Sequence, residues 1–152
     1  MATSDNAEIV RRLYRRVMSD GRLEDPATAD LVPRFFDPDV YVRQMSAIAG
    51  TAGAFHGYAG LVQSVGEVTR EFSNPVFAPE EIKAVGERVA VAVHFRATGR
   101  RSGISVEYRP GHLFTLRNRL VIRFEVFESP ADAFRAAEST TSDEPVNRTP
   151  GS

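Results

Sequence analysis

The feature that most constrains this chain is a change of hydrophobic period near residue 75. Before it, apolar side chains recur every three or four positions, the spacing of a helix face; after it, they alternate, the spacing of a strand. A strand around Ile82–Val85 turns at Gly86-Glu87 into Val89–Phe95. A second hairpin, Gly99-Arg100-Arg101-Ser102-Gly103, leads into a long strand ending at Leu116, and a third, Arg117-Asn118-Arg119, into Leu120–Phe127. That succession predicts an antiparallel meander. In the long strand Ile104, Val106, Tyr108, His112, Phe114 and Leu116 share one face, and Ser105, Glu107, Arg109, Thr115 and Arg117 share the other. The next strand sets Ile122, Phe124 and Val126 against Arg123 and Glu125. One sheet face is therefore apolar and needs cover, and His112 is its one group that titrates near neutral pH. The other face carries charges of both signs that can pair across strands.

The upstream residues supply that cover. Asp5 with Glu8 predicts a helix start with a capping box. Ile9, Val10, Leu13, Tyr14, Val17 and Met18 form its apolar stripe, Arg11, Arg12, Arg15 and Arg16 its solvated face, and Gly21 its stop. A short helix is expected from Pro26 to about Phe36. Asp37-Pro38-Asp39 then reads as a turn, and Val40-Tyr41-Val42 as a strand running to Gln44. Residues 46–54 are small and read as a mobile loop over the mouth of a pocket. His56-Gly57 opens a third helix whose face holds Tyr58, Leu61, Val62, Val65, Val68 and Phe72, and Asn74-Pro75 ends it. Gly60 and Gly66 each weaken it by about 1 kcal/mol. Pro130 starts a last helix to about Ala137, and residues 138–152 read as a disordered tail.

With 152 residues, 42% of them hydrophobic and 26% charged, the chain suits one domain with a real core. The absence of cysteine excludes disulfides and thiolate metal sites. No basic-then-apolar leader opens the sequence, and no run approaches the roughly 18 apolar residues of a membrane span. A net charge of −1 provides no field for nucleic acid or anionic lipid. A cytoplasmic location and neither nucleic-acid nor membrane partners are expected. There is no His-Glu-x-x-His, no pair of histidines at metal-ligand spacing and no Gly-x-Ser-x-Gly elbow. Gly50-x-x-Gly53 and Gly57-x-x-Gly60 do not follow strands in βαβ units. No metal and no cofactor are expected.

The order of these elements, with Phe55-His56-Gly57-Tyr58 before the third helix, resembles the SnoaL-like (polyketide cyclase-like) family of the nuclear-transport-factor-2-like superfamily. The likeness is densest from Ser102-Gly103 through Gly111-His112-Leu113-Phe114-Thr115-Leu116-Arg117 to Val121-Ile122-Arg123-Phe124, and Ser129-Pro130-Ala131-Asp132-Ala133-Phe134-Arg135-Ala136 fits the family's closing pattern. The resemblance implies an α+β domain over residues 1–137. In it a cone-shaped, curved antiparallel sheet packs on three N-terminal and mid-chain helices and encloses a pocket. It covers polyketide cyclases, ketosteroid isomerases, limonene epoxide hydrolases and scytalone dehydratases, so it implies a fold more than a reaction. In the isomerases a first-helix tyrosine and a late-strand acid form an oxyanion hole, and an aspartate ending the first strand moves the proton. Tyr14 corresponds to the tyrosine, His112 lies near the late-strand acid, and Gln44 stands where the aspartate would be. The Asp-Arg-Asp set of the epoxide hydrolases has no counterpart here. Where the family often has Asp-Gly in the last hairpin, this chain has Asn118-Arg119, and Asn tolerates positive φ.

His112 and Tyr14 are therefore the candidate catalytic residues, with His56, Gln44, Tyr58, Phe114 and Phe124 as candidate ligand contacts. A buried histidine satisfied by hydrogen bonds and an aromatic used as packing are the plainer readings of the first two. His94 is expected on the outer sheet surface or at an interface. Two functions stay open. One is a pocket for a hydrophobic cyclic metabolite with cofactor-independent acid–base chemistry of isomerase, cyclase or dehydratase type. The other is a non-catalytic ligand-binding or dimeric interaction domain. A homodimer through the outer sheet face, where Glu107, Arg109, Arg123 and Glu125 alternate, is expected with either.

Overall fold

The structure, a computed structural model, describes residues 2–44 and 53–139. Helix α1 (Ala2–Leu13) continues into a wider π turn, Tyr14–Met18, and ends at Ser19, whose hydroxyl donates to the Arg15 carbonyl at 2.8 Å. The apolar stripe behaves as its spacing requires: Ile9, Val10, Leu13, Tyr14, Val17 and Met18 are all buried. The expected capping box is absent. The helix begins upstream of Asp5, Glu8 pairs with Arg11 and Arg15, and Asp5 pairs with Arg119 across the hairpin at 3.6 Å. A 3-10 turn (Pro26–Leu31), capped by the Asp25 carboxylate, leads into a one-turn helix, α2 (Val32–Phe35).

Among the described residues seven strands form one curved, open sheet: β1 (Phe36–Gln44), β2 (Gly53–His56), β3 (Phe72–Val85), β4 (Arg88–Gly99), β5 (Ser105–Tyr108), β6 (Gly111–Arg117) and β7 (Leu120–Phe127). Their order is β2-β1-β7-β6-β4-β3, and β5 also pairs with β4. The meander β3-β4-β6-β7 is antiparallel, whereas β1 runs parallel to β7, so the sheet is mixed. The Asp37-Pro38-Asp39 segment, expected as a turn ahead of the strand, lies within β1. It forms an irregularity inside β1 where the register with β7 shifts, held by the Asp39 amide donating to the Asp37 carboxylate at 2.8 Å.

The long strand expected up to Leu116 is broken at Arg109-Pro110 into β5 and β6. Proline has no N–H to give, and the sheet continues through its carbonyl, which accepts from the Val93 amide at 3.0 Å. On this face His112, Phe114 and Leu116 are fully buried, but Ile104 and Tyr108 stand 63% and 41% exposed on the arm that β5 forms with β4. A bulge at Thr115/Leu116 pairs Leu116 with Val121, so Val121 rather than Ile122 joins the core. Asn118 and Arg119 both take positive φ in the last hairpin.

Helix α3 (Gly57–Glu71) crosses the inner face with Leu61 and Ser64 buried; Val62 is exposed instead of sharing that face. Gly60 lets this helix lie on β2, because a Cβ there would come within 2.9 Å of the Phe55 carbonyl carbon. The helix stops at Glu71, earlier than Asn74-Pro75. Helix α4 (Pro130–Glu138), capped by the Ser129 hydroxyl, covers part of the outer face through Ala133 and Ala137 on Ala90, Leu113 and Phe127. That face is therefore not uniformly charged. Most of residues 46–54, expected as a mobile loop, and nearly all of the expected tail lie outside the described residues; Gly53 and Ala54 belong to β2, and Glu138 to α4. No described helix is long and apolar enough to cross a membrane.

Candidate functional site

Strand β6 lies between β4 and β7, and alternation aims His112 inward among helices and aromatic rings. The imidazole is 1% exposed, stands edge-on to the Phe124 ring (centroids 5.0 Å apart) and tilts over Phe77 (5.5 Å). Its Nδ1 lies 2.6 Å from the Tyr14 hydroxyl, delivered by the π turn of the first helix, and the two rings are within 10° of parallel.

Burial disfavours the charged form of each group. The His112 pKa falls to about 3, and that of the Tyr14 phenol rises well above 10. At neutral pH both are therefore uncharged, and the ring carries one proton. If Tyr14 donates to Nδ1, that proton is on Nε2, and one donor of the pair lacks a partner among the described residues. If Nδ1 donates instead, the phenol O–H and the Nε2 lone pair are both left over. Unpaired buried polar groups cost about 1–3 kcal/mol each, so the first arrangement prevails.

The His112 ring borders a cavity of about 70 Å³ between sheet and helices. Its lining is apolar, including Met18, Leu23, Phe77, Phe95 and Phe124, apart from Gln44, Ser64 and His112. No carboxylate and no ammonium or guanidinium group reaches it from the described residues. The Ser64 hydroxyl donates to the Leu61 carbonyl at 2.8 Å, which leaves its lone pairs as acceptors.

Of the residues singled out from sequence, His112, Gln44 and Phe124 line this cavity. Tyr14 stands behind the imidazole as its partner. Phe114 is buried in the wall, stacked on Phe124 at 4.8 Å, and does not border the space. Tyr58 turns its hydroxyl to the Phe36 carbonyl at 2.9 Å, and His56 is exposed at the start of α3 with no side-chain capping bond; neither lines the cavity. His94 lies on the outer face against Glu107. Sequence reasoning missed Ser64, although a lone hydroxyl three residues after Leu61 and next to Val65 in the helical stripe was a usable signal. It also missed Leu23 of the segment after α1, Phe77 of β3 and Phe95 of β4. No cluster of three or more His, Cys, Asp or Glu side chains suited to a metal ion occurs among the described residues.

Solved structures share this architecture. An NTF2-like protein of unknown function from Burkholderia pseudomallei is 22% identical, with 89% of this chain and 98% of that one covered and a TM-score of 0.67. A protein from Jannaschia sp. CCS1, provisionally assigned as a SnoaL-like polyketide cyclase, is 20% identical, with 91% and 94% covered and a TM-score of 0.70. TerC, co-crystallised with polyporic acid, is 23% identical, with 89% and 98% covered and a TM-score of 0.68. At these identities the likeness is one of fold. No curated protein matches the chain. The SnoaL-like domain model matches residues 10–124, from the first helix through Phe124. The chain belongs to the SnoaL-like domain family.

Proposed function

We propose that the protein binds a hydrophobic cyclic small molecule bearing a carbonyl or enol oxygen, which the Nε2–H of His112 recognises. The observation that carries this reading is the hydrogen bond of Nδ1 to Tyr14, which fixes the ring and leaves its second nitrogen a donor without a partner among the described residues. In an apolar enclosure such a donor favours an oxygen that gains negative charge, because little water competes. Gln44 offers a second polar contact. TerC was crystallised with polyporic acid, and a Catenulispora acidiphila protein of ketosteroid isomerase-like fold with trimethylamine, so relatives of this fold hold small molecules.

Acid–base catalysis of isomerase, cyclase or dehydratase type also needs a proton acceptor. An imidazole with a pKa near 3 is a weak base, and no described carboxylate lines the cavity. The arrangement favours binding and polarisation of a carbonyl over proton abstraction.

The test is a thermal-shift panel of cyclic ketones, each paired with its hydrocarbon. A ketone at a hundred times its Kd stabilises the protein by about 2.7 kcal/mol and raises Tm by several degrees. His112→Phe is expected to abolish the preference for the ketone. If no ketone raises Tm, or if the preference survives in the variant, the reading is wrong.

A further inference from the structure

A second cavity, of about 250 Å³, adjoins the first between α3 and the 3-10 turn. Met18, Leu23, Ser64, Val65 and Phe124 line both. These shared residues form the partition between the two spaces. We propose that the two spaces are chambers of one ligand site, and that the ligand is a rod-shaped apolar ketone. Its carbonyl lies at His112, and its body passes Met18 and Leu23 into the second chamber. This rests on the carbonyl-binding reading above and adds the shape of the ligand.

Volume is the first argument. A cavity that holds benzene measures about 150 Å³, roughly twice the chamber beside His112. A ring therefore does not fit beside the imidazole unless part of the ligand lies elsewhere. The second chamber exceeds that size and is also mainly apolar in its lining. The second argument is the partition itself. Phe124 stands on a central strand, but Met18 closes the π turn and Leu23 lies in the irregular segment after it, half-buried. A thioether chain with three rotatable bonds adapts its shape at low energy, so these two side chains can part without moving the sheet. The third is the far rim, where Val62 is 56% exposed on α3 and Ala29 is exposed on the 3-10 turn opposite. An apolar side chain turned outward at a cavity edge is what an entrance for an apolar ligand requires.

Acetophenone and 4-acetylbiphenyl present the same carbonyl, but only the biphenyl is long enough to fill the second chamber. Dissociation constants for both are measured on the parent, Ala29→Trp and Val62→Trp. Each variant fills the far chamber from an exposed position, one on each wall. The parent is expected to bind the biphenyl at least about tenfold more tightly, the effect of burying one more ring. Each tryptophan is expected to reduce that ratio to near one. A parent ratio near one, or a ratio unchanged in both variants, overturns the two-chamber site and leaves the carbonyl reading standing. If the parent binds neither ketone, the carbonyl reading falls and the two-chamber site falls with it.

Discussion

The hydroxyl of Tyr14 and Nδ1 of His112 lie 2.6 Å apart although 98 positions separate the residues in sequence. Both are buried, so removing either side chain's polar atom strands the other. Tyr14→Phe is expected to lower stability by about 1–3 kcal/mol in urea titrations, and His112→Phe by less, because it strands the phenol but also removes the unpartnered Nε2–H. The double variant leaves nothing unpaired, so its loss should fall short of the sum by at least about 0.5 kcal/mol. Strict additivity would show that the contact contributes nothing.

Protonation of the same ring links stability to pH. The unfolded chain takes up a proton at His112 near pH 6.5, while the folded chain refuses it until about pH 3. Stability should therefore fall as pH drops through that window, by up to about 1.4 kcal/mol per pH unit from this group. Above pH 6.5 the group has no effect. Urea midpoints between pH 4 and 7 should fall more steeply for the parent than for His112→Phe, and equal slopes would place the imidazole in contact with water.

Gly111, next to His112, lies tight against the start of α4. A Cβ there would lie 2.5 Å from the Ser129 carbonyl oxygen and 2.7 Å from the Ala133 Cβ. Gly111→Ala should destabilise by about 1–3 kcal/mol through overpacking. Gly66→Ala, with open space at the same atom in the helix interior, should change stability little or raise it by about 1 kcal/mol. Comparable effects at the two sites would refute the steric account.

Gln44 tests the missing base. It lines the cavity with His112 but cannot accept a proton at neutral pH. Gln44→Asp is expected to speed exchange of the α-hydrogens of a bound ketone with deuterated water by about a hundredfold, the low end for a positioned base. NMR of the ketone reads this directly. Fast exchange already in the parent would mean that another group serves as base.

The inward residues of the first helix and of β6 were legible because each follows one period without interruption, and Tyr14 and His112 fall on those faces. Their mutual hydrogen bond was not, since no local pattern encodes which turn of a helix meets which strand. Strand β3 was read only at its end. Ser73-Asn74-Pro75 and Pro79-Glu80-Glu81 look like breakers, yet the strand absorbs them through register shifts at Ser73/Val76 and Pro79/Glu81. Strand β2 is short, with Gly53 and Ala54 in its first half, and carries no alternation to detect. Burial at Val62, Ile104 and Tyr108 was misjudged for one reason: spacing assigns a face, while cover depends on elements elsewhere in the chain.

The parallel pairing of β1 with β7 constrains the order in which the molecule can be assembled. As the chain leaves the ribosome, α1 and β1 emerge long before the strands that bury them. The apolar stripe of the helix, from Ile9 to Met18, has no sheet to lie on until β3 and β4 have been made. The hairpins from β3 to β7 close over short distances and can form as soon as they appear, whereas the β1–β7 contact must wait for nearly the whole chain. Nascent chains ending before Leu120 should therefore leave β1 without its β7 partner and open to chaperones and to other chains. Tyr14 gains its hydrogen-bond partner only once β6 has been made.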